Sequence, residues 1–179
     1  EVNVEDGDTN GGFNLNMWAT VVATDGTVCA VTKTGEGLND QWLGSRVISA
    51  QKANTAIAFS LPGLALSTAN LWAPTQPGGP LFGLQFSNPV DTKTAYKGNA
   101  GNFGEHNDPM VGHRIGGVNV FGGGLALYNA DGLIGAIGVS GDSSCADHNI
   151  AWRVRHALGL DYVPGGVNSD GSDNIIFDL

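Results

Sequence analysis

With 179 residues, 41% of them hydrophobic, the chain is long enough to bury one core and carries no pattern for a second. A net charge of −9 with only eight lysines and arginines excludes nucleic acid and anionic membrane surfaces as partners, because both would repel it. No run approaches the roughly twenty apolar residues that cross a bilayer, so no membrane insertion is expected.

Residues 1–12 read as an acidic, glycine-rich arm. Within it, Asp6-Gly7-Asp8-Thr9-Asn10-Gly11 reproduces the first half of a calcium loop, with Asp6, Asp8 and Asn10 at the first, third and fifth positions. The twelfth position is Met17 and not a bidentate glutamate. Two readings follow: an ordinary Asp/Asn/Gly turn, or a Ca2+ site completed by a distant carboxylate such as one from the 170–178 tail. Residues 15–23 and 27–33 flank Asp25-Gly26 and form a first hairpin.

After a loop at 35–39, residues 45–60 predict a helix with Val47, Ile48, Ala50, Ala53, Ala56 and Ile57 inward, ended by Pro62-Gly63. Its alanines permit close packing on a sheet or a second helix, and residues 64–72 suggest a further short helix. From 73 to 115 the chain holds Pro74, Pro77, Pro80, Pro89 and Pro109 and no sustained period, the mark of a binding loop, a lid or an oligomer contact. Leu81, Phe82, Leu84 and Phe86 are too apolar to be left in water and should pack on something.

Residues 118–128 and 133–140 form a second hairpin around Asn129-Ala130-Asp131-Gly132. Gly135, Gly138 and Gly141 open space beside the return strand, where backbone or ligand can approach. Ser144 and Asp147 form a capping pattern for a last helix, whose apolar stripe is Ala146, Ile150, Val154, Ala157 and Leu158, with Gly159 as the stop. His148, Trp152 and Arg155, with His156 nearby, read as a solvated or subunit-facing stripe of that helix. Cys29 and Cys145 either form one bridge or stay as two small buried thiols. At a helix start, Cys145 would have a lowered thiol pKa.

The run Gly132-Leu133-Ile134-Gly135-Ala136-Ile137-Gly138-Val139-Ser140-Gly141, followed by Asp147 and a final helix, resembles the hallmark of the GlcG/HbpS-like family, also called the haem-degrading or DUF336 domain. Upstream, Ser49-Ala50-Gln51-Lys52-Ala53-Asn54-Thr55-Ala56 is similar to that family's Lys-Ala-x-Thr-Ala helix. The family usually places a helix before the first hairpin, and none is found here. The resemblance implies haem or a related tetrapyrrole as the cofactor and a homo-oligomer as the assembly.

Haem needs an apolar slot, an iron ligand and cations for its propionates. His106, His113 and Arg114 are the candidate haem-binding residues, with Met110, Tyr96, Lys93 and Lys97 close in sequence. Loop histidines bonded to water or backbone are the plainer alternative. Glu105-His106-Asn107-Asp108 with His113 can instead hold a transition metal, although the spacing matches no zinc pattern. Gly138-Val139-Ser140-Gly141-Asp142 falls short of a nucleophile elbow, and the glycines at 122–124 lack the Lys and Ser/Thr of a phosphate loop.

The expected fold is α+β: a single-domain antiparallel sheet of two hairpins with helices packed on it, spanning 13–163, with a long insertion at 73–115 and a tail at 164–179. The expected function is an exported homo-oligomeric haem-binding protein, with its pocket near the long loop and the glycine-rich strands. A non-catalytic assembly protein is the first alternative. An enzyme acting on a small organic substrate near Asp147, Ser140 and Lys52 is the second. An acidic, lysine-poor chain that begins at Glu1 points to a secreted or periplasmic location.

Overall fold

A computed structural model of the protein describes residues 11–175, so the candidate calcium ligands Asp6, Asp8 and Asn10 lie outside the described residues. Strands β1 (Trp18–Ala23) and β2 (Val28–Lys33) form the first hairpin, and Gly26 takes the left-handed conformation, φ +80°, that its turn requires. Strands β3 (Gly124–Asn129) and β4 (Gly132–Ser140) form the second hairpin. The hairpins join through β1 and β4 into one four-stranded antiparallel sheet of order β2-β1-β4-β3, with Trp18 opposite Ser140 and Val22 opposite Ala136.

Side chains alternate across the sheet and define two faces. On one face Trp18, Val22, Val28, Val31 and Ala136 pack against helix α1 (Ser45–Phe59) through Val47, Ala50, Ala53, Ala56 and Ile57. On the other, Leu125, Leu127, Ile137 and Val139 meet Ile150 and Ala151 of the last helix, Ser144–Ala157. Two short helices, α2 (Leu84–Ser87) and α3 (Thr92–Ala95), interrupt the long connection, which makes the last helix α4. No helix among the described residues is long and apolar enough to cross a membrane.

The glycine spacing receives backbone and not ligand. A Cβ on Gly138 would lie 1.9 Å from the Ser49 carbonyl, and one on Gly124 would lie 2.5 Å from the Lys52 carbonyl, so both glycines seat α1 directly on the sheet.

The long connection is pinned to the outside of α1. Arg46, 1% exposed, donates from Nε to Asp108 at 2.8 Å and from Nη2 to the other carboxylate oxygen, while its Nη1 donates to the Ala95 carbonyl at 2.8 Å. The guanidinium also stacks over Phe103, 3.7 Å from the ring centroid. Asp108 in turn accepts from the amides of Gly104 and Met110, both at 2.8 Å. Further along, the Asn119 amide donates to Thr55 Oγ1, and Asn54 donates to the Gly117 carbonyl. This segment is a clamp rather than a lid, and it explains why α1 is buried on nearly all sides.

Several expectations are corrected. Residues 118–123 cross α1 before the ladder begins, so the strand starts at Gly124 and not at 118. Residues 64–72 contain a 3-10 turn at Ala69–Leu71, followed by another at Ala73–Thr75, and no α-helix. The cap of α4 is Ser143, one residue earlier than expected, whose Oγ accepts from the Ala146 amide at 3.2 Å. Leu81, Phe82 and Phe86 find no cover within the described chain and are 38%, 59% and 81% exposed.

His148, Trp152 and Arg155 are not a solvated stripe. His148 and Arg155 are fully buried and Trp152 is half-buried. Arg155 donates to both oxygens of Asp173 at 2.7 and 2.8 Å and to the Ala126 carbonyl at 3.1 Å. That pair folds the 164–175 segment onto α4, because a buried guanidinium needs its partner in place. Cys29 and Cys145 are free; Cys29 is exposed and Cys145 half-buried, so neither a bridge nor a buried pair forms.

Candidate functional site

Helix α4 covers β3 and β4 on its face and leaves β1 and β2 open beside it. Ala19 and Val21 are only half-buried there, and Ala30 and Thr32 are exposed. The result is a groove of about 800 Å³, floored by Ala19, Val21, Ile137 and Val139 and walled by Ile150, Val154 and Leu158 of α4. Asn14, Leu15, Asn16 and Met17 close one end, and the end of β2 at Lys33 and Thr34 borders it. Small side chains on β1 and β2 leave the volume empty; larger ones would fill it. Its size and apolar lining are those of a small-molecule site.

The groove has few polar groups. Lys33 lies opposite Trp18 in the ladder and turns its side chain to the α1 face, where its ammonium is tied to Glu105, whose carboxylate is half-exposed and held below its ordinary pKa by that hydrogen bond. No histidine or cysteine lines the groove, and the thioether of buried Met17 is the soft donor among its lining residues.

Beneath the end wall lies a chain of buried contacts. Lys52, 1% exposed, donates to Asp147 Oδ2 at 2.7 Å and to the Val139 carbonyl at 3.0 Å. The other oxygen of Asp147 accepts from the Asp142 amide at 3.0 Å. Burial pushes the Asp147 carboxyl up to about 6, against the opposing pull of Lys52, and pushes the Lys52 ammonium below its ordinary value. Beside them, burial lowers His148 to about 4; its Nδ1 accepts from the Gly123 amide at 3.3 Å, and its Nε2 is buried without a partner among the described residues.

The structure separates the candidate haem residues. The His113 carbonyl accepts from the Val28 amide at the start of β2, whereas Glu105, the neighbour of His106, reaches Lys33 at its end. Those strand ends are about 17 Å apart at the rise of an extended chain. His106, His113 and Arg114 are all exposed, and Arg114 lies near enough to Asp25 in the first turn to help lower that carboxyl. Of the companions, Tyr96 and Lys93 are exposed and Lys97 half-buried, while Met110 is buried in the core and turned away from any ligand.

The Glu105-to-Asp108 metal reading fails because Glu105 belongs to Lys33 and Asp108 to Arg46. Among the described residues, no three His, Cys, Asp or Glu side chains gather to hold a metal ion. Asp147, Ser140 and Lys52 are 2%, 4% and 1% exposed, out of reach of any substrate. The groove itself escaped sequence reasoning; its signal was the run of small residues on the outward positions of β1 and β2.

A four-stranded antiparallel sheet, closed by a helix on one face and left half open on the other, defines the chain as an α+β domain with one groove-bearing face. The family model described as haem degrading protein HbpS-like matches residues 9–155, and the chain belongs to that family. Among solved structures, it is similar to the PduOC:haem complex, at 26% identity and a TM-score of 0.57 over 82% of this chain and 81% of that one. It also shares its fold with Klebsiella pneumoniae protein ORFY of the DUF336 family, at 23% identity and a TM-score of 0.55 over 81% and 76% of the two chains. HbpS has the same fold at 18% identity and a TM-score of 0.50 over 87% and 79%. No curated protein matches the chain.

Proposed function

We propose that the protein binds haem in the groove beside α4. The observation that carries this reading is the groove itself, an apolar slot on a sheet face left open by the described residues, in a chain of the haem degrading protein HbpS-like family that is similar to a PduOC:haem complex. The residues fit the group in their apolar character: Ala19, Val21, Ile137, Val139, Ile150 and Val154 offer a bed for the ring. The side chain of Lys33, 7% exposed and paired with Glu105, lies with Trp18 on the α1 face of the sheet and is not part of that bed. His106, His113 and Arg114 lie outside the lining, and the thioether of Met17 is the soft donor that the lining offers to iron. Bound haem would supply an iron centre whose reactivity depends on that ligand and on exclusion of water by the apolar walls.

Titrating haem into the protein should produce a shifted Soret band. Val21→Trp, which fills the groove, should remove most of the shift, while His106→Ala and His113→Ala should leave it in place. A wild-type spectrum identical to free haem would end the proposal.

Homo-oligomer formation is part of the same reading. It is supported by Trp72, Phe82 and Phe86, which are 50%, 59% and 81% exposed and too apolar to be left so. Light scattering showing a monomer at working concentration would remove that part alone. Export is supported by the acidic, lysine-poor composition, and fractionation of the source cells tests it.

A further inference from the structure

The end wall of the groove contains Asn14, the one non-glycine residue with positive φ among the described residues, at +61°. Asparagine tolerates this left-handed conformation better than most residues, yet it still needs its neighbours to hold it there. One side chain provides that hold. Asp142 accepts the Phe13 amide on both carboxylate oxygens at 2.9 Å and the Leu15 amide on Oδ2 at 3.0 Å, so its hydrogen bonds bracket Asn14 on either side. It also accepts the amide of Ser143.

The bracket is fixed from behind and from both flanks. The Asp142 amide donates to Asp147, which is anchored by Lys52. Ser143 Oγ donates to the Gly11 carbonyl at 2.6 Å. A Cβ on Gly12 would come within 2.6 Å of Ala146 Cβ, and one on Gly141 within 2.7 Å of the Asn16 carbonyl, so the segment is pressed onto the start of α4 and the end of β4. Asn14 itself is exposed, lines the groove and makes no hydrogen bond with its carboxamide among the described residues.

The geometry points to Asn14 as a preset polar contact for a ligand carboxylate at the end of the groove, and to Asp142 as the residue that positions it. This rests on the haem reading, in which the carboxylate is a propionate. An amide N–H donates to a carboxylate without adding charge, and Asp142, spent on three backbone amides, is screened from repelling it.

Asn14→Gly keeps the left-handed backbone and deletes the amide, whereas Asp142→Ala releases the backbone. In Soret titrations of the full chain, both variants should weaken haem binding about tenfold, the scale of one hydrogen bond to a charged group. Hydrogen exchange at the Phe13 and Leu15 amides should be unchanged in Asn14→Gly and faster in Asp142→Ala, with Asp142→Asn intermediate because it keeps one acceptor. With haem dimethyl ester, whose carboxylates are blocked, Asn14→Gly should bind as the wild type does. Wild-type haem affinity in Asn14→Gly would overturn the contact, and unchanged exchange in Asp142→Ala would overturn the positioning role. If the wild type takes up no haem, the contact falls with the haem reading, while the exchange measurement still decides the role of Asp142.

Discussion

The two faces of the sheet solve opposite problems with similar residues. Under α1, glycines let two backbones touch and buried ions are matched: Arg46 with Asp108, and Lys52 with Asp147. Beside α4, alanines, a valine and a threonine are also small, but no described element descends onto them and a groove remains. Small residues therefore mark close packing only where a partner element arrives; elsewhere they mark a vacancy available to a ligand.

The sharpest way to break this comparison is to remove a partner from the closed side. Arg46→Ala should cost about 3–5 kcal/mol, because it strands Asp108 in the core. Urea unfolding that shifts by less than 1 kcal/mol would mean the long connection is not clamped through this pair.

A pH experiment follows in size. Asp147, raised to about 6, contributes stability that is full below its unfolded value near 3.8 and is lost as pH rises through 6. His148, lowered to about 4, contributes stability that is full above 6.5 and is lost as pH falls towards 4. The two slopes oppose each other, each worth about 3 kcal/mol. His148→Asn, which can still accept from the Gly123 amide, should gain about that much on the wild type between pH 6.5 and 4, as read by urea unfolding at each pH. Parallel curves for the two proteins would show that His148 accepts its proton freely in the folded state.

Gly138→Ala should cost about 1–3 kcal/mol, since its Cβ must displace the α1 backbone. Ala30→Val, on the open face, should change stability by no more than about 0.5 kcal/mol while narrowing the groove and weakening haem binding. If Ala30→Val destabilised the protein as much as Gly138→Ala, the open face would be covered in solution.

Much of the fold was legible in the chain. The Asp25-Gly26 and Asp131-Gly132 turns join hairpin strands as expected, although the strand before the second turn starts at Gly124 and not at 118, and of the expected stripe Ala146, Ile150 and Val154 face inward while Ala157 and Leu158 are exposed. The run from Gly132 to Gly141 with Asp147 also pointed correctly to the family. The site was much less legible. His106 and His113 are seven residues apart in sequence but anchored at opposite ends of β2. Asp142 sits in a run that falls short of a nucleophile elbow, and its bonds to Phe13 and Leu15 join residues 129 and 127 positions apart.

Turns, strands and helix stripes depend on neighbours within a few residues, and the order of residues alone was enough to place them. Which charges are buried was settled by contacts between distant segments: Lys52 with Asp147 is 95 residues apart and Arg46 with Asp108 is 62. A buried charge on a helix looks the same in sequence as a solvated one, because its partner is what makes burial tolerable. The groove has the same origin. It exists because α4 lies over β3 and β4 and stops short of β1 and β2, and that offset is a property of the packed layers, not of any single stretch of chain.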